Sequence, residues 1–332
     1  MNMDGRKKRG VGLWAAAGIL ALAAGAAAED KPASPPVTAS KGVKLSGYIQ
    51  LVSTTQSQGI DGFAMRRVRL SLAGEVVKNV KVKFQIDTQK SPIMLDAQID
   101  WTPLEAASLR LGQFKIPFSL ESLTSSADLD MIERSQVVDK LSPGWDIGAN
   151  GRDVGVAVTG KVSFLEYALG GFNGAGINKT DTNGQKDFDA RLLFRPLPNL
   201  AFGGSIYQGR YSAAAGARPV ERDRYGLEAA WTTPTVSLKG EYIKAEDGVL
   251  NRDGWYLQGG WFISPKKIQA VLRADIYDKD QDKAGDRSDL FMGGVNWFFS
   301  ERTKLKANVG IYRTEAGTTA NKVLLIQFQA GF

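Results

Sequence analysis

The sequence predicts an all-β chain closed as a 16-stranded antiparallel transmembrane β-barrel, with a long constriction loop after strand 5. Three observations predict it. Apolar and polar residues alternate with period two in about sixteen segments of about ten residues each. The connections between those segments alternate between tight and long. The chain closes on an aromatic residue, Phe332, that shares one strand face with Leu324, Ile326, Phe328 and Ala330.

At the N-terminus, Arg6, Lys7, Lys8 and Arg9 precede an apolar run from Val11 to Ala24, and Ala26 and Ala28 form an A-x-A arrangement before Glu29. Residues 1–28 therefore read as a secretory signal peptide, the run being short of the roughly 20 apolar residues of a spanning helix. Residues 29–43, with Pro32, Pro35 and Pro36, read as an exposed periplasmic linker. The barrel is expected over 44–332. The formal charge of +7 loses four basic residues and regains one from Asp4 when the signal is discounted, leaving about +4. That modest charge does not suggest a nucleic-acid partner.

The chain has no cysteine and no histidine. Disulfides, thiolate metal sites, histidine-based triads and histidine-ligated zinc are excluded together. No cofactor and no metal is expected.

Strand starts are expected near Lys44, Phe63, Val80, Ile93, Ser108, Arg152, Phe164, Asp187, Leu200, Arg222, Val236, Arg252, Lys267, Ser288, Thr303 and Ala320. The third shows the pattern well: Val80, Val82, Phe84 and Ile86 alternate with Lys81, Lys83, Gln85 and Asp87. In the fifteenth, Leu305, Ala307, Val309 and Ile311 alternate with Lys304, Lys306 and Asn308. One face suits lipid and the other water. Even-to-odd joins are tight, as at Lys78-Asn79 and Thr233-Pro234, whereas odd-to-even joins such as 173–186 and 278–287 are longer and polar. Short turns on one side and long loops outside are an outer-membrane pattern that a sandwich has no reason to show. Trp101, Trp231, Trp255, Trp261, Trp297, Phe298 and Phe299 suit interfacial girdles.

The longest irregular stretch, 115–150, lies between two well-formed strands and falls on the outer side, where it can fold into the lumen. A structureless loop of that length is functional or argues against its flanking strands. Its acids Glu121, Asp128, Asp130, Glu133, Asp139 and Asp146 outnumber Lys115, Arg134 and Lys140.

The blocks RLGQFKIPFSLE (110–121), IERS (132–135), GRDVGV (151–156) and GFNG (171–174), with the terminal Phe332, resemble the phosphate-selective porin O and P family. The resemblance covers essentially the whole mature chain. It implies a trimeric porin of 16 strands in the outer membrane of a Gram-negative bacterium, with a constriction loop after the fifth strand. The expected partners are then the lipid bilayer and lipopolysaccharide, the outer-membrane assembly machinery reading Phe332, two further copies of the chain, and small anions or polar solutes. Phosphate-specific members depend on an arginine ladder and a few pore lysines, and the resemblance leaves that ladder unassigned here.

Placing the apolar parity outward puts Arg67, Arg69, Lys81, Lys83 and Arg110 on the lumen side of strands two, three and five. This basic wall is expected to face the loop acids across an eyelet, producing a transverse field that orients polar solutes. Lys115, where the loop leaves the wall, is the loop's expected anion contact. Lys239 and Lys267 are expected in the lumen farther from the loop. The function expected is passive diffusion of small polar solutes and ions with mild anion or phosphate preference. The alternatives are a phosphate- or polyphosphate-specific channel, a structural or adhesive barrel, and a barrel enzyme, which usually relies on the histidine this chain lacks. Two weaker signals are outweighed: Asp278, Asp280, Asp282 and Asp289 approach calcium-loop spacing with Lys283 in place of the glycine, and Asn178-Lys179-Thr180 matches a glycosylation sequon.

Overall fold

The computed structural model describes residues 42–104, 106–212, 216–317 and 320–332. The expected signal peptide lies outside the described residues, as does the expected linker apart from Gly42 and Val43.

Sixteen antiparallel strands form one closed barrel in which every strand pairs with its neighbours in sequence. They are β1 Lys44–Gln56, β2 Gly62–Val77, β3 Val80–Asp87, β4 Met94–Leu104, β5 Ala107–Lys115, β6 Arg152–Val162, β7 Leu165–Phe172, β8 Asp187–Leu197, β9 Leu200–Tyr211, β10 Val220–Thr232, β11 Val236–Asp247, β12 Leu250–Ser264, β13 Ile268–Asp278, β14 Ser288–Phe298, β15 Lys304–Thr314 and β16 Asn321–Gly331. Each begins within two residues of its expected position. The barrel closes where β1 meets β16, with Tyr48 opposite Gly331 and Leu51 opposite Phe328. Closure leaves no strand edge unpaired, as a bilayer core demands.

The period-two pattern sets the two faces. On β16, Leu324, Ile326 and Phe328 point outward and stay exposed, whereas Gln327 and Gln329 point inward and are buried. Trp231, Trp261 and Trp297 sit outward on the alternate strands β10, β12 and β14 at the end carrying the tight turns, which makes them one aromatic girdle. Trp255 pairs with Tyr242 nearer the other end.

The tight turns include the two-residue Lys78-Asn79 connection, where Asn79 takes φ 65°. Asparagine tolerates that left-handed conformation, which fits a hairpin turn to the strand twist. One join departs from the expected alternation. Between β11 and β12, on the side of the long loops, only Gly248 and Val249 intervene, with Gly248 at φ 65°.

Residues 116–151 join β5 to β6 and are not structureless. They carry two short helices, α1 Leu120–Leu123 and α2 Gln136–Leu141. Ser119 and Ser135 cap them, each side-chain oxygen accepting a backbone N–H, from Ser122 and Val138, at 3.1 Å. Two glycines of the sequence blocks are required by close approach. Gly112 has φ 112°, and a Cβ there would lie 2.2 Å from the Ala97 carbonyl oxygen. Gly151 has φ 74°, and a Cβ would lie 2.3 Å from Nε1 of Trp145.

The core of the molecule is made by this connection and the inward face of the barrel. Phe118, Val137, Val138 and Leu141 pack with Tyr207, Ile243, Ala245 and Tyr256, and Met131 and Ile132 pack with Val52, Val271, Leu290, Met292, Val323 and Leu325. Each large apolar side chain so buried contributes roughly 1.5–3 kcal/mol toward ordering the connection.

Candidate functional site

Polar contacts fix the position of the 116–151 connection. The carboxylate of Glu241 on β11 accepts the backbone N–H groups of Leu120 and Glu121 at 2.9 and 2.7 Å, and Asp275 on β13 accepts that of Gln136 at 2.6 Å. These wall carboxylates satisfy donors that a helix start leaves open. Asn308 on β15 accepts the N–H of Ile132 at 2.8 Å, and Asn296 on β14 donates to the Asp130 carbonyl at 2.9 Å. Gln50 on β1 and Gln329 on β16 donate to the carbonyls of Ser126 and Ala127.

Ion pairs follow the same side. Glu121 pairs with Arg273 on β13. Asp130 takes Lys239 of β11 at 2.9 Å and also accepts from Gln258 and Gln269. Asp146 takes both Arg222 and Arg224 of β10, at 2.8 and 2.7 Å. Burial pushes the Glu121 carboxyl up, but Arg273 and Arg134 outweigh it and hold the group below its ordinary value.

The expected meeting of loop acids with the β2, β3 and β5 wall is therefore corrected. Only Glu133 turns to β2, and its partner is Arg66. Asp139 pairs with the adjacent Lys140 at 2.8 Å, and the Asp128 carboxylate, which is exposed, makes no hydrogen bond among the described residues. The physical reason is the inward apolar patch on β11–β16, which draws Met131, Ile132 and α2 to the opposite wall.

The basic wall finds its own partners. Arg69 donates to Asp87 at 2.9 Å, Lys83 lies 2.7 Å from Asp96, and Arg110 lies 2.6 Å from Asp100. Lys81 is exposed, opposite Glu75 and Asp100 in register. Arg67 donates to Gln50 at 2.8 Å and has no carboxylate partner among the described residues. Lys115 does not offer its ammonium to a solute: Nζ donates to the carbonyls of Ser122, Leu123 and Thr124 at 2.6, 3.0 and 2.9 Å. It caps the C-terminal end of α1.

Three cations escape the parity count. Arg152 clasps Asp96, with Nε 2.5 Å from Oδ1. Arg134 donates to the carbonyls of Glu121 and Thr124, and its guanidinium lies 4.6 Å over the ring of Trp145. Burial lowers its pKa to about 10, with Glu121 opposing, so it stays cationic at neutral pH. Arg66 is the extra residue of a bulge: Gln50 stands opposite Arg67, and Leu51 opposite Met65. A bulge puts two successive side chains out of strict alternation, which simple period-two counting misses.

A cavity of about 550 Å³ opens between β2 and the connection on the side of the long loops. Arg66, Arg67, Lys90, Arg134 and Lys140 line it, against Glu133 and Asp139. The two acids are matched by Arg66 and Lys140. Arg67, Lys90 and Arg134 remain without a carboxylate partner among the described residues. At the other end of the barrel, pairs such as Arg110 with Asp100 and Arg195 with Glu166 balance the wall.

No group of metal-ligating side chains occurs among the described residues. In the calcium-like stretch, carboxylates of Asp278 and Asp280 accept backbone N–H groups two residues on, at 3.1 and 3.2 Å. The Asn178 amide donates to the Met94 carbonyl at 2.8 Å.

The sequence profile described as phosphate-selective porin O and P matches residues 46–218 and 206–332. A protein of Aquifex aeolicus (strain VF5), described only as uncharacterized, is 24% identical over 316 aligned residues, covering 71% of this chain and 72% of its own. Among solved structures, an anion-selective porin from Comamonas acidovorans has TM-score 0.68 and 14% identity, covering 87% of this chain and 99% of that one. OmpT of Vibrio cholerae in a trimer form has TM-score 0.60 and 10% identity, covering 87% and 99%. At such identities the likeness is one of fold.

Proposed function

We infer, from a chain that belongs to the phosphate-selective porin O and P family, that its outer-membrane channel passes small solutes with preference for anions and is narrowed by the 116–151 connection. The observation that carries the preference is the outer cavity, where Arg67, Lys90 and Arg134 have no carboxylate partner among the described residues. Uncompensated cations beside low-dielectric walls raise the local concentration of anions. Rows of fixed charge select ions in channels generally. The narrowing is supported by the hydrogen bonds that hold the connection against inward side chains of β1 and β10–β16.

The Comamonas acidovorans protein is named as anion-selective, which agrees with this reading, and the trimer form of OmpT supports a trimeric assembly here. Family and fold point to a channel rather than an enzyme. Residues 1–28 would direct export and 29–43 would extend into the periplasm, while Phe332 would be read by the assembly machinery. The outward apolar band would meet lipid and lipopolysaccharide.

The test is the zero-current potential of the full-length protein in a planar bilayer under a tenfold KCl gradient. A potential of the sign set by chloride is expected. A potential set by potassium would overturn the anion preference, and absence of conductance would overturn the channel.

A further inference from the structure

The outer cavity is built for more than a bare inorganic anion. We infer that it binds a small aromatic carboxylate, the carboxylate on Arg67 and Lys90 and the ring against Tyr312, with Trp145 completing the lining beside Arg134. This rests on the anion-channel reading above and narrows its substrate class.

The volume of about 550 Å³ lies within the roughly 300–1,000 Å³ of organic-ligand pockets. A small oxyanion would need polar donors converging from every side. Here two aromatic side chains share the lining with the cations, and each is fixed from behind. Tyr312 packs on the cluster of Val52, Met131, Ile132 and Leu290. Trp145 packs on the cluster of Val137, Val138 and Leu141, and its Nε1 donates to Ser122 Oγ at 2.9 Å. The Trp145 ring is covered by the Arg134 guanidinium, which leaves Tyr312 as the stacking face, and a ring held in this way loses little side-chain freedom when a planar ligand stacks on it.

The cations divide into two roles. Arg134 has both terminal nitrogens engaged by carbonyls and by Ser126, so it supplies fixed charge rather than ligand bonds. Among the described residues Arg67 makes one side-chain hydrogen bond, to Gln50, and Lys90 makes none. A guanidinium with an open edge matches the two oxygens of a carboxylate. The Gln136 side chain is held by the wall, its amide donating to the Asp275 carbonyl at 3.4 Å and its oxygen accepting from Ser288 Oγ at 2.7 Å.

The full-length protein in planar bilayers, held in symmetric KCl at neutral pH, would be titrated with benzoate, acetate and inorganic phosphate as probes of current block. Benzoate should half-block at a concentration about tenfold lower than acetate or phosphate, the difference a ring contact supplies. Tyr312→Ala should erase the advantage of benzoate over acetate, and retention of that advantage would overturn the ring contact. Arg67→Gln should weaken both carboxylates together. Equal half-blocking concentrations for benzoate and acetate in the unaltered protein would overturn the inference without any variant. Block by phosphate at the lowest concentration would overturn it in favour of an oxyanion site. A zero-current potential set by potassium would instead remove the channel reading beneath it, so the two failures are distinguishable.

Discussion

Lys239 on β11 sets its ammonium 2.9 Å from a carboxylate oxygen of Asp130, in the middle of the connection that leaves the barrel at β5. Parity alone places this lysine in the lumen, remote from the strands that bear the connection. In the fold it is one of the connection's tethers. Both side chains are largely buried, so removing one partner leaves a charge without compensation.

Asp130→Asn should therefore loosen the connection locally. A hydrogen bond to a charged group contributes roughly 1.5–3 kcal/mol. The amides of Leu129 to Ile132 should then exchange hydrogen about tenfold faster or more, while those of the barrel strands keep their rates. Unchanged exchange would show that the apolar contacts of Met131 and Ile132 suffice.

Removing Ser125 to Asp139 should raise single-channel conductance. The deletion takes out Asp130, Met131, Ile132 and the first turn of α2, which lie against β11–β16. Conductance equal to that of the intact protein would mean that the narrowest point lies elsewhere.

Charge reversal should act unequally along the wall. Arg67 has no ion-pair partner among the described residues, whereas Arg110 is paired with Asp100 at 2.6 Å. Arg67→Glu should move the zero-current potential toward cations further than Arg110→Glu does. The gap should widen at low salt, because the Debye length grows from about 10 Å at 0.1 M to about 30 Å at 0.01 M. Equal shifts would favour a diffuse average of lumen charge.

The ion pairs of Asp130 and Glu121 should resist mild acid. Burial raises the Asp130 pKa, but Lys239 outweighs it, and for Glu121 Arg273 and Arg134 do the same, so both folded values are depressed. Depressed carboxyls contribute their full stabilisation above the unfolded values, near about 4, and lose it only as pH falls through the folded ones. The extra protection of the Leu129 to Ile132 amides relative to Asp130→Asn should therefore persist from about pH 8 to about pH 5 and disappear only below about pH 4. Disappearance of that difference between about pH 5 and pH 7 would contradict the assignment of Asp130 as a tether.

Phe332 closes the last strand: its N–H donates to the Gly47 carbonyl at 3.0 Å, and Arg302 donates to its carbonyl at 3.0 Å, while the ring stays exposed on the outer face. Deleting it should lower the amount of barrel in the outer membrane without lowering synthesis. Undiminished yield, read by quantitative blotting of membrane fractions, would sink its role as an assembly signal.

The sequence by itself determined the barrel. Strand number, strand limits and the two faces depend on a period-two pattern that each strand carries locally, as in Val80 to Asp87, and on turn residues such as Asn79. It also marked the irregular segment from Lys115 onward. The residues behind the family resemblance are largely those that anchor the connection: Gly112 and Gly151 allow close approach, Lys115 caps α1, Ser135 caps α2, and Arg152 holds Asp96.

Only the tertiary structure decided which wall receives the connection and which charges remain free. Pairing across a lumen joins residues more than a hundred positions apart, as Glu121 joins Arg273, and periodicity has no access to such separations. One signal of the docking side was present, in strands apolar on both faces such as Val323 to Leu325 and Leu290 to Met292. An inward-facing apolar residue in a water-filled barrel needs something to bury it. Arg66 was beyond reach for a different reason, because a single bulged residue reverses the parity on which the inward and outward assignment depends.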